Sequence, residues 1–126
     1  MRTGNRTTGA RLRLVLEPDV AMGPGKADLL EGVETEGSIA AAGRGLGMSY
    51  RRAWALIEEM NADFGTPLVH TSKGGKSFGG AGLTPTGKKV LTLYRRMEEN
   101  AAEAIESDPR ALRKLRAEGG GSGKTS

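Results

Sequence analysis

The chain has 126 residues, which is enough for one domain with a modest hydrophobic core and excludes large two-domain enzymes. Its formal net charge of +4 favours a polyanionic partner without establishing one. Because it contains no cysteine and a single histidine, disulfide frameworks, thiolate zinc sites, cysteine nucleophiles and three-histidine metal sites are excluded.

The sequence has no run of 18 apolar residues, and no apolar segment follows its basic start. We therefore expect no membrane-spanning helix, no signal peptide and a cytoplasmic, nucleoid-associated location. Both ends are polar and lack periodicity. We expect a flexible N-terminus over residues 1–9, a folded domain over 10–108, and a flexible, basic Gly/Ser-rich tail over 109–126.

Basic residues are concentrated in the middle of the chain. Residues 43–96 carry nine basic residues against three acidic ones, whereas residues 17–36 carry six acidic residues against one lysine. This distribution suits a polyanion-binding surface on one part of the fold, although an ordinary solvated surface would give the same pattern.

The first elements in chain order are a strand and a helix. Residues 11–17 alternate in hydrophobicity, which predicts a strand that ends at Pro18. Residues 26–36 have apolar residues at helical spacing and predict a helix that ends at Gly37. Leu12, Leu14 and Leu16 fall on one face of this strand.

Two helices separated by a glycine-containing turn come next. Ser38 is predicted to cap a helix from Ile39 to about Arg44, and a third helix starts at Ser49 after the turn. This pattern is that of a helix-turn-helix, although many helical hairpins share it. The third helix is predicted to bury Ala53, Ile57, Met60 and Phe64, with Trp54 at the border.

A β-hairpin and a long helix complete the domain. Residues 67–71 and 81–83 read as strands around a glycine-rich loop, and Thr84 precedes a helix over about 85–106. A helix-turn-helix followed by a hairpin is a winged helix, so the predicted fold is α+β, mainly α, with the hairpin as the wing. The apolar stripe of the long helix comprises Val90, Leu91, Tyr94, Met97, Ala101 and Ile105.

The combined motifs resemble the ModE family. The resemblance rests on GSIAAAGRGLGMSYRRAWALIEEMN at 37–61 and LVHTSKGGKSFGGAGLTPTG at 68–87, and it covers about residues 11–106. It implies a regulator, tied to molybdenum metabolism, that binds operator DNA as a dimer. In that family the N-terminal helix, the first strand and the long last helix form the dimer interface, so the last helix would be the C-terminal dimerisation helix. Full-length members add an oxyanion-binding domain that we do not expect in this chain, and a separate protein could supply effector sensing.

The third helix is expected to lie in the DNA major groove. Arg51 and Arg52 can each bind guanine through two hydrogen bonds, or bind a phosphate. Ser49 offers a hydroxyl and helix-end amides to a phosphate. Tyr50 can contact a phosphate, contact a thymine methyl group or simply pack half-buried.

The remaining candidate contacts are with the DNA backbone. Ser38 is a phosphate contact or a plain helix cap, and Arg44 is a DNA contact or a solvated residue that favours the helix dipole. In the wing, glycines allow close approach to the sugar-phosphate backbone. The candidate wing contacts are Thr71, Ser72, Lys73, Lys76 and Ser77.

The sequence gives little support for a catalytic function. Gly75-Lys76-Ser77 looks like the end of a P-loop, but the motif requires glycine at position 70, which is His70. The glutamate pairs are adjacent on helices and point apart. Trp54 and Met60 are expected to be core residues, and His70 a surface or packing residue. We therefore expect no enzyme, no cofactor and no metal.

The sequence predicts a homodimeric regulator that reads an inverted repeat in double-stranded DNA, with half-sites one helical turn apart. Two alternatives stay open: a sequence-tolerant nucleoid-type DNA binder, and a winged-helix protein–protein adaptor. The salt dependence of binding distinguishes DNA binding from the adaptor. Affinity that depends on contacts with several phosphates falls steeply as salt rises, whereas the affinity of an apolar protein interface does not.

Overall fold

The computed structural model describes residues 9–72 and 80–119. These residues form five helices and two separate two-stranded antiparallel sheets, which confirms the winged-helix, mainly α architecture. The elements in chain order are β1 (Leu14–Glu17), β2 (Val20–Met22), α1 (Pro24–Glu36), α2 (Ile39–Gly45), α3 (Tyr50–Phe64), β3 (Val69–Ser72), β4 (Gly80–Leu83), α4 (Pro85–Ala104) and α5 (Ser107–Glu118).

The predicted first strand is one half of a hairpin. β1 ends at Glu17, as expected before Pro18, but β2 follows it directly and was not predicted. Asp19 turns the chain with a positive φ of 67°. The pairing register shifts between Val15 and Glu17, and Leu16 is 51% exposed. Leu12 and Leu14 pack against the core and Leu16 does not, so the prediction that the three leucines share one face fails at Leu16, because a register shift changes which face a side chain occupies.

Small residues bring the first three helices close together. A Cβ built on Gly32 of α1 would lie 3.0 Å from the Cβ of Ala42 in α2. A Cβ on Gly43 of α2 would lie 3.3 Å from the Cβ of Ala53 in α3. The core between these helices is therefore built by near backbone-to-backbone contact, which leaves α2 and α3 in a fixed relative orientation.

The side of α3 that the sequence predicted to be buried faces the core. Ala53, Ile57 and Met60 are buried, and Phe64 packs half-buried against the core. Trp54 borders this face and is also half-buried against the core.

The long helix is joined to the rest of the fold by a polar cluster as well as by apolar packing. Leu91 and Tyr94 are buried, and the Tyr94 hydroxyl donates to the carbonyl of Leu12. Arg95 contacts the carboxylates of Asp28, Glu31 and Glu98, and thereby ties α4 to α1.

The predicted flexible tail begins too early. Residues 107–118 form the helix α5, whereas the sequence reading started the tail at 109. The segment is rich in Ala, Leu, Arg and Lys, which are good helix formers, and Pro109 lies in its first turn, where proline is tolerated. The glycines that suggested a tail start only at Gly119. No α5 residue is buried.

No helix among the described residues combines the length and the apolar character that crossing a membrane requires.

Candidate nucleic-acid interface

A compact turn sets the angle between α2 and α3. The amides of Leu46 and Met48 both donate to the carbonyl of Gly43, at 3.0 and 2.9 Å. Gly47 has a φ of 72°, a left-handed conformation that favours glycine. The turn satisfies carbonyls that a helix end otherwise leaves free, so α3 starts at a fixed position relative to α2.

Both helices of the helix-turn-helix begin with a serine cap. The Ser38 hydroxyl oxygen accepts from the Ala41 amide, and the Ser49 hydroxyl oxygen accepts from the Arg52 amide, each at 3.0 Å. Ser49 is exposed and Ser38 is half-buried. Both predicted caps are confirmed, and the exposed Ser49 leaves the N-terminus of α3 accessible to an anion.

Three exposed side chains follow Ser49 in the first turn of α3. Tyr50 is 56% exposed, and Arg51 and Arg52 are also exposed. In the part of the chain that the structure describes, neither guanidinium takes part in a salt bridge. Two arginines thus remain available to a polyanion at the start of the helix.

The outer face of α3 centres on Arg51. At 100° per residue, Arg51 and Ala55 lie opposite the buried stripe, with Tyr50 on one flank and Arg52 on the other. On the Arg52 flank, the charge of Arg52 attracts the carboxylate of Glu59, two turns further along α3. The pKa of Glu59 is lowered mainly by a hydrogen bond from Lys26 at 2.8 Å and by the Lys26 charge, and Arg52 adds a smaller attraction.

The other predicted backbone contacts are exposed where the structure describes them. Arg44 lies in the last turn of α2. Thr71 and Ser72 lie on β3, opposite Ala81 and Gly80 of β4. The remaining predicted wing contacts fall outside the described residues: Lys73, Lys76 and Ser77.

Hydrogen bonds fix the base of the wing to α3 and to α4. The Leu68 amide donates to Asn61 Oδ1 of α3 at 2.8 Å. The Thr84 amide donates to the Leu68 carbonyl at 2.9 Å, and the Thr84 hydroxyl to the Pro67 carbonyl at 2.8 Å. The helix α3 and the wing are therefore held in one frame.

A further bond joins the wing to the start of the helix-turn-helix. The amide of Ala81 in β4 donates to the carbonyl of Gly37, the residue between α1 and α2, at 2.8 Å. Sequence reasoning missed the positioning roles of Asn61 and Gly37. The first bond pairs a main-chain amide with the Asn61 side chain and the second pairs two main-chain groups, and such pairings leave no pattern in the sequence.

Potential metal ligands are scattered over the described part of the chain. Within residues 9–72 and 80–119, no three His, Asp or Glu side chains come together in a way that could hold an ion. His70 is exposed on β3, opposite Gly82, in agreement with the surface or packing role expected from the sequence.

Comparison with known proteins identifies this arrangement. Residues 27–88 match the family described as "Bacterial regulatory helix-turn-helix protein, lysR family". The chain is 38% identical to the molybdenum-pterin-binding protein MopB of Rhodobacter capsulatus, over 72% of this chain and 34% of that protein. It is 35% identical to the molybdenum transport protein ModE of Azotobacter vinelandii, over 77% of this chain and 36% of that protein.

A regulator and a solved structure extend the comparison. The chain is 33% identical to the DNA-binding transcriptional dual regulator ModE of Escherichia coli K12, over 77% of this chain and 38% of that protein. The chain thus spans little more than a third of the length of these relatives. The fold matches the protein in the crystal structure of a CbnR_DBD–DNA complex with a TM-score of 0.56, at 25% identity, over 70% of this chain and 95% of that one. The chain therefore carries a winged helix-turn-helix DNA-binding domain of the bacterial lysR type and is a homologue of the ModE regulators.

Proposed function

We propose that this chain is a sequence-specific transcriptional regulator that reads an inverted-repeat operator as a homodimer. The observation that carries the proposal is the first turn of α3, where a capped helix start presents Arg51 and Arg52 without salt-bridge partners in the described structure. The similarity to ModE of Escherichia coli, named as a transcriptional regulator, supports the same reading.

In the proposed complex, α3 lies in the major groove and the wing lies on the adjacent backbone. Arg51, at the centre of the outer face, binds a guanine edge, and Arg52 binds either a base or a phosphate. Ser38, Ser49 and Arg44 contact phosphates. The proposed wing contacts are Thr71, Ser72, Lys73, Lys76 and Ser77, of which the last three are assigned from the sequence alone.

The dimer proposal rests on where apolar surface is exposed. Apart from Tyr50, the exposed large apolar side chains of the described residues lie on β1, on α4 or its C-cap, and on α5. They are Val15, Leu16, Leu93, Met97, Ile105, Leu112 and Leu115. Exposed apolar side chains on elements other than the helix-turn-helix and the wing suit contact with a second copy of the chain. An isologous pair would place two α3 helices on successive half-sites.

The proposal carries the further expectations of a regulator. The domain acts without catalysis and without a bound cofactor, in the cytoplasm and on the nucleoid. Effector sensing, including any response to an oxyanion, would come from another protein or another part of a longer chain. The names of MopB and ModE make genes of molybdenum metabolism the first place to look for an operator.

Selection from genomic DNA tests the proposal. Purified protein is mixed with sheared genomic DNA at moderate salt, and the retained fragments are sequenced. An enriched inverted repeat is the expected result. Retention without any enriched motif would favour the nucleoid-type binder. No retention would contradict DNA binding by this chain and favour the adaptor.

Two substitutions then test base reading. Arg51→Ala or Arg52→Ala should cost about 1–3 kcal/mol on the selected site if the residue binds a base, and much less on unrelated DNA. Arg96→Ala, on an exposed position of α4, is the matched control and should change affinity little. Equal losses on every DNA would contradict base reading and leave only phosphate contact.

Light scattering tests the dimer. The double variant Leu93→Glu/Met97→Glu introduces charge into the exposed apolar surface of α4 and should be monomeric at micromolar concentration. Thr92→Glu introduces a charge on another side of the same helix and should remain dimeric. A monomeric wild-type protein, with and without DNA, would contradict the dimer.

A further inference from the structure

We infer that Tyr50, with its ring positioned by Trp54, reads the C5-methyl group of thymine in the major groove. This inference rests on the proposed function and names the base chemistry that the recognition helix selects. It starts from the exposure of one aromatic side chain on the helix-turn-helix.

Tyr50 is exceptional among the exposed apolar residues. Seven of the eight large apolar side chains that are exposed in the described structure lie on β1, on α4 or its C-cap, and on α5. Tyr50 is the eighth and lies on α3, at its first residue, where it is 56% exposed. At the first residue of the helix that we place in the major groove, this exposed ring is available to a ligand.

The ring of Tyr50 is held in place before any DNA binds. It meets the ring of Trp54, one helical turn further on, edge to face, with centroids 6.3 Å apart and planes at 82°. Trp54 is itself half-buried against the core. Pairing of this kind limits the rotamers of Tyr50, so little side-chain entropy is lost on binding.

The position of the Tyr50 ring in the major groove limits which DNA group it can contact. The edges of the bases in the major groove are polar except for the C5-methyl group of thymine, which is the apolar contact available there. The pairing with Trp54 holds the ring of Tyr50 along the surface of α3, on one flank of its outer face and within the first turn, which is the part of such a helix that contacts base edges. Arg51 and Arg52 beside it already supply the groups that bind phosphate and guanine.

The experiment removes the methyl group and nothing else. In the selected site, each thymine is replaced in turn by deoxyuridine, which keeps its base pairing, and affinity is measured by titration. At one thymine in each half-site, the replacement should weaken wild-type binding about three- to five-fold, the factor expected for one buried methyl group. Thymines elsewhere in the site serve as internal controls.

Two variants distinguish the contribution of the Tyr50 ring to binding from that of its hydroxyl. Tyr50→Ala should bind the thymine and deoxyuridine sites equally well, and Tyr50→Phe should keep the discrimination because it keeps the ring. If Tyr50→Phe loses affinity as Tyr50→Ala does and neither variant depends on the methyl group, Tyr50 acts through its hydroxyl and the inference is wrong.

Trp54 is proposed as a positioning residue. Its test is therefore the ratio of the affinities for the thymine and the deoxyuridine sites, and not either affinity alone. Trp54→Leu should lower the thymine-to-deoxyuridine ratio while leaving the salt dependence of binding unchanged. An unchanged ratio would remove Trp54 from the proposal. Binding of wild-type protein that ignores every deoxyuridine replacement would contradict methyl reading while leaving the proposed function intact. Absence of any selected site would contradict both.

Discussion

Gly87, in the first turn of α4, lies directly against the carbonyl of Leu68 at the base of the wing. A Cβ built on Gly87 would stand 2.1 Å from the Leu68 oxygen and 2.9 Å from its carbon. The same oxygen accepts the Thr84 amide, so neither backbone can shift without breaking a hydrogen bond. This contact sets how closely the wing and the long helix approach each other.

Gly87→Ala should therefore destabilise the domain by about 1–3 kcal/mol or more, because backbone and not a flexible side chain would have to move. Gly25→Ala is the matched control. Gly25 lies in α1, and a Cβ added there would have nothing within 4 Å, so the helix preference for alanine should make the change neutral or stabilising by up to about 1 kcal/mol. Urea unfolding of both variants measures the contrast, and equal stabilities would contradict the close contact.

Asn61 should prove important for the wing rather than for the DNA surface. Asn61→Ala leaves the Leu68 amide, in a buried residue, without its acceptor, which should cost about 1–3 kcal/mol. Asn61→Asp keeps an oxygen acceptor in the same place and should retain most of the stability. Denaturant titration measures the stability of both variants. If Asn61→Asp loses as much stability as Asn61→Ala, the acceptor oxygen does not account for the effect.

The ion cluster around Arg95 should be a major stabilising contact between α1 and α4. Burial lowers the pKa of Arg95, but its hydrogen bonds to Asp28, Glu98 and Glu31 outweigh this effect and raise the pKa overall. Arg95→Met removes the cation that the three carboxylates share and should cost about 2–4 kcal/mol near neutral pH.

The neighbouring Arg96 is the control for this cluster. Arg96 is exposed, and Arg96→Met should change stability by less than about 0.5 kcal/mol. Salt screens the attraction between charges, so the difference in stability between the Arg95 variant and the wild type should shrink as the salt concentration rises. A difference that does not depend on salt would point to packing of the Arg95 stem instead of its charge.

Tyr94 should make the domain sensitive to alkali. Burial, with a smaller contribution from the charge of Glu98, raises the pKa of the Tyr94 hydroxyl to about 12. Because the folded-state pKa lies above the ordinary value of 10, its contribution to stability is complete below pH 10 and is lost as the pH rises toward 12.

Comparison with Tyr94→Phe isolates this effect. At pH 8 the variant should be less stable by about 1 kcal/mol, because the carbonyl of Leu12 loses its donor. The difference should narrow and then reverse between about pH 10 and about pH 12. A constant difference across that range would contradict burial of an ionisable Tyr94.

Local patterns predicted the elements of the helix-turn-helix. The two serine caps, the glycine turn and the buried residues of α3 all appear where the sequence indicated them, because caps, turns and 3.6-residue periodicity depend on neighbours within a few positions. Pro18-Asp19 was an overlooked turn signal, since three apolar residues follow it and form β2. The prediction of a flexible segment from residue 109 was wrong over residues 109–118, because the glycines after Glu118 were given more weight than the helix-forming residues before them.

The sequence by itself determined that a capped helix begins with a tyrosine and two arginines, and that a hairpin follows it. Only the tertiary structure decided that this helix and hairpin form one frame. The Leu68 amide at the base of the hairpin bonds the Asn61 side chain of that helix, and the Ala81 amide bonds the Gly37 carbonyl at the start of the helix-turn-helix; folding brings these groups together. The tertiary structure also decided which apolar residues stay outside, because burial depends on which elements pack together, whereas periodicity depends only on the element itself.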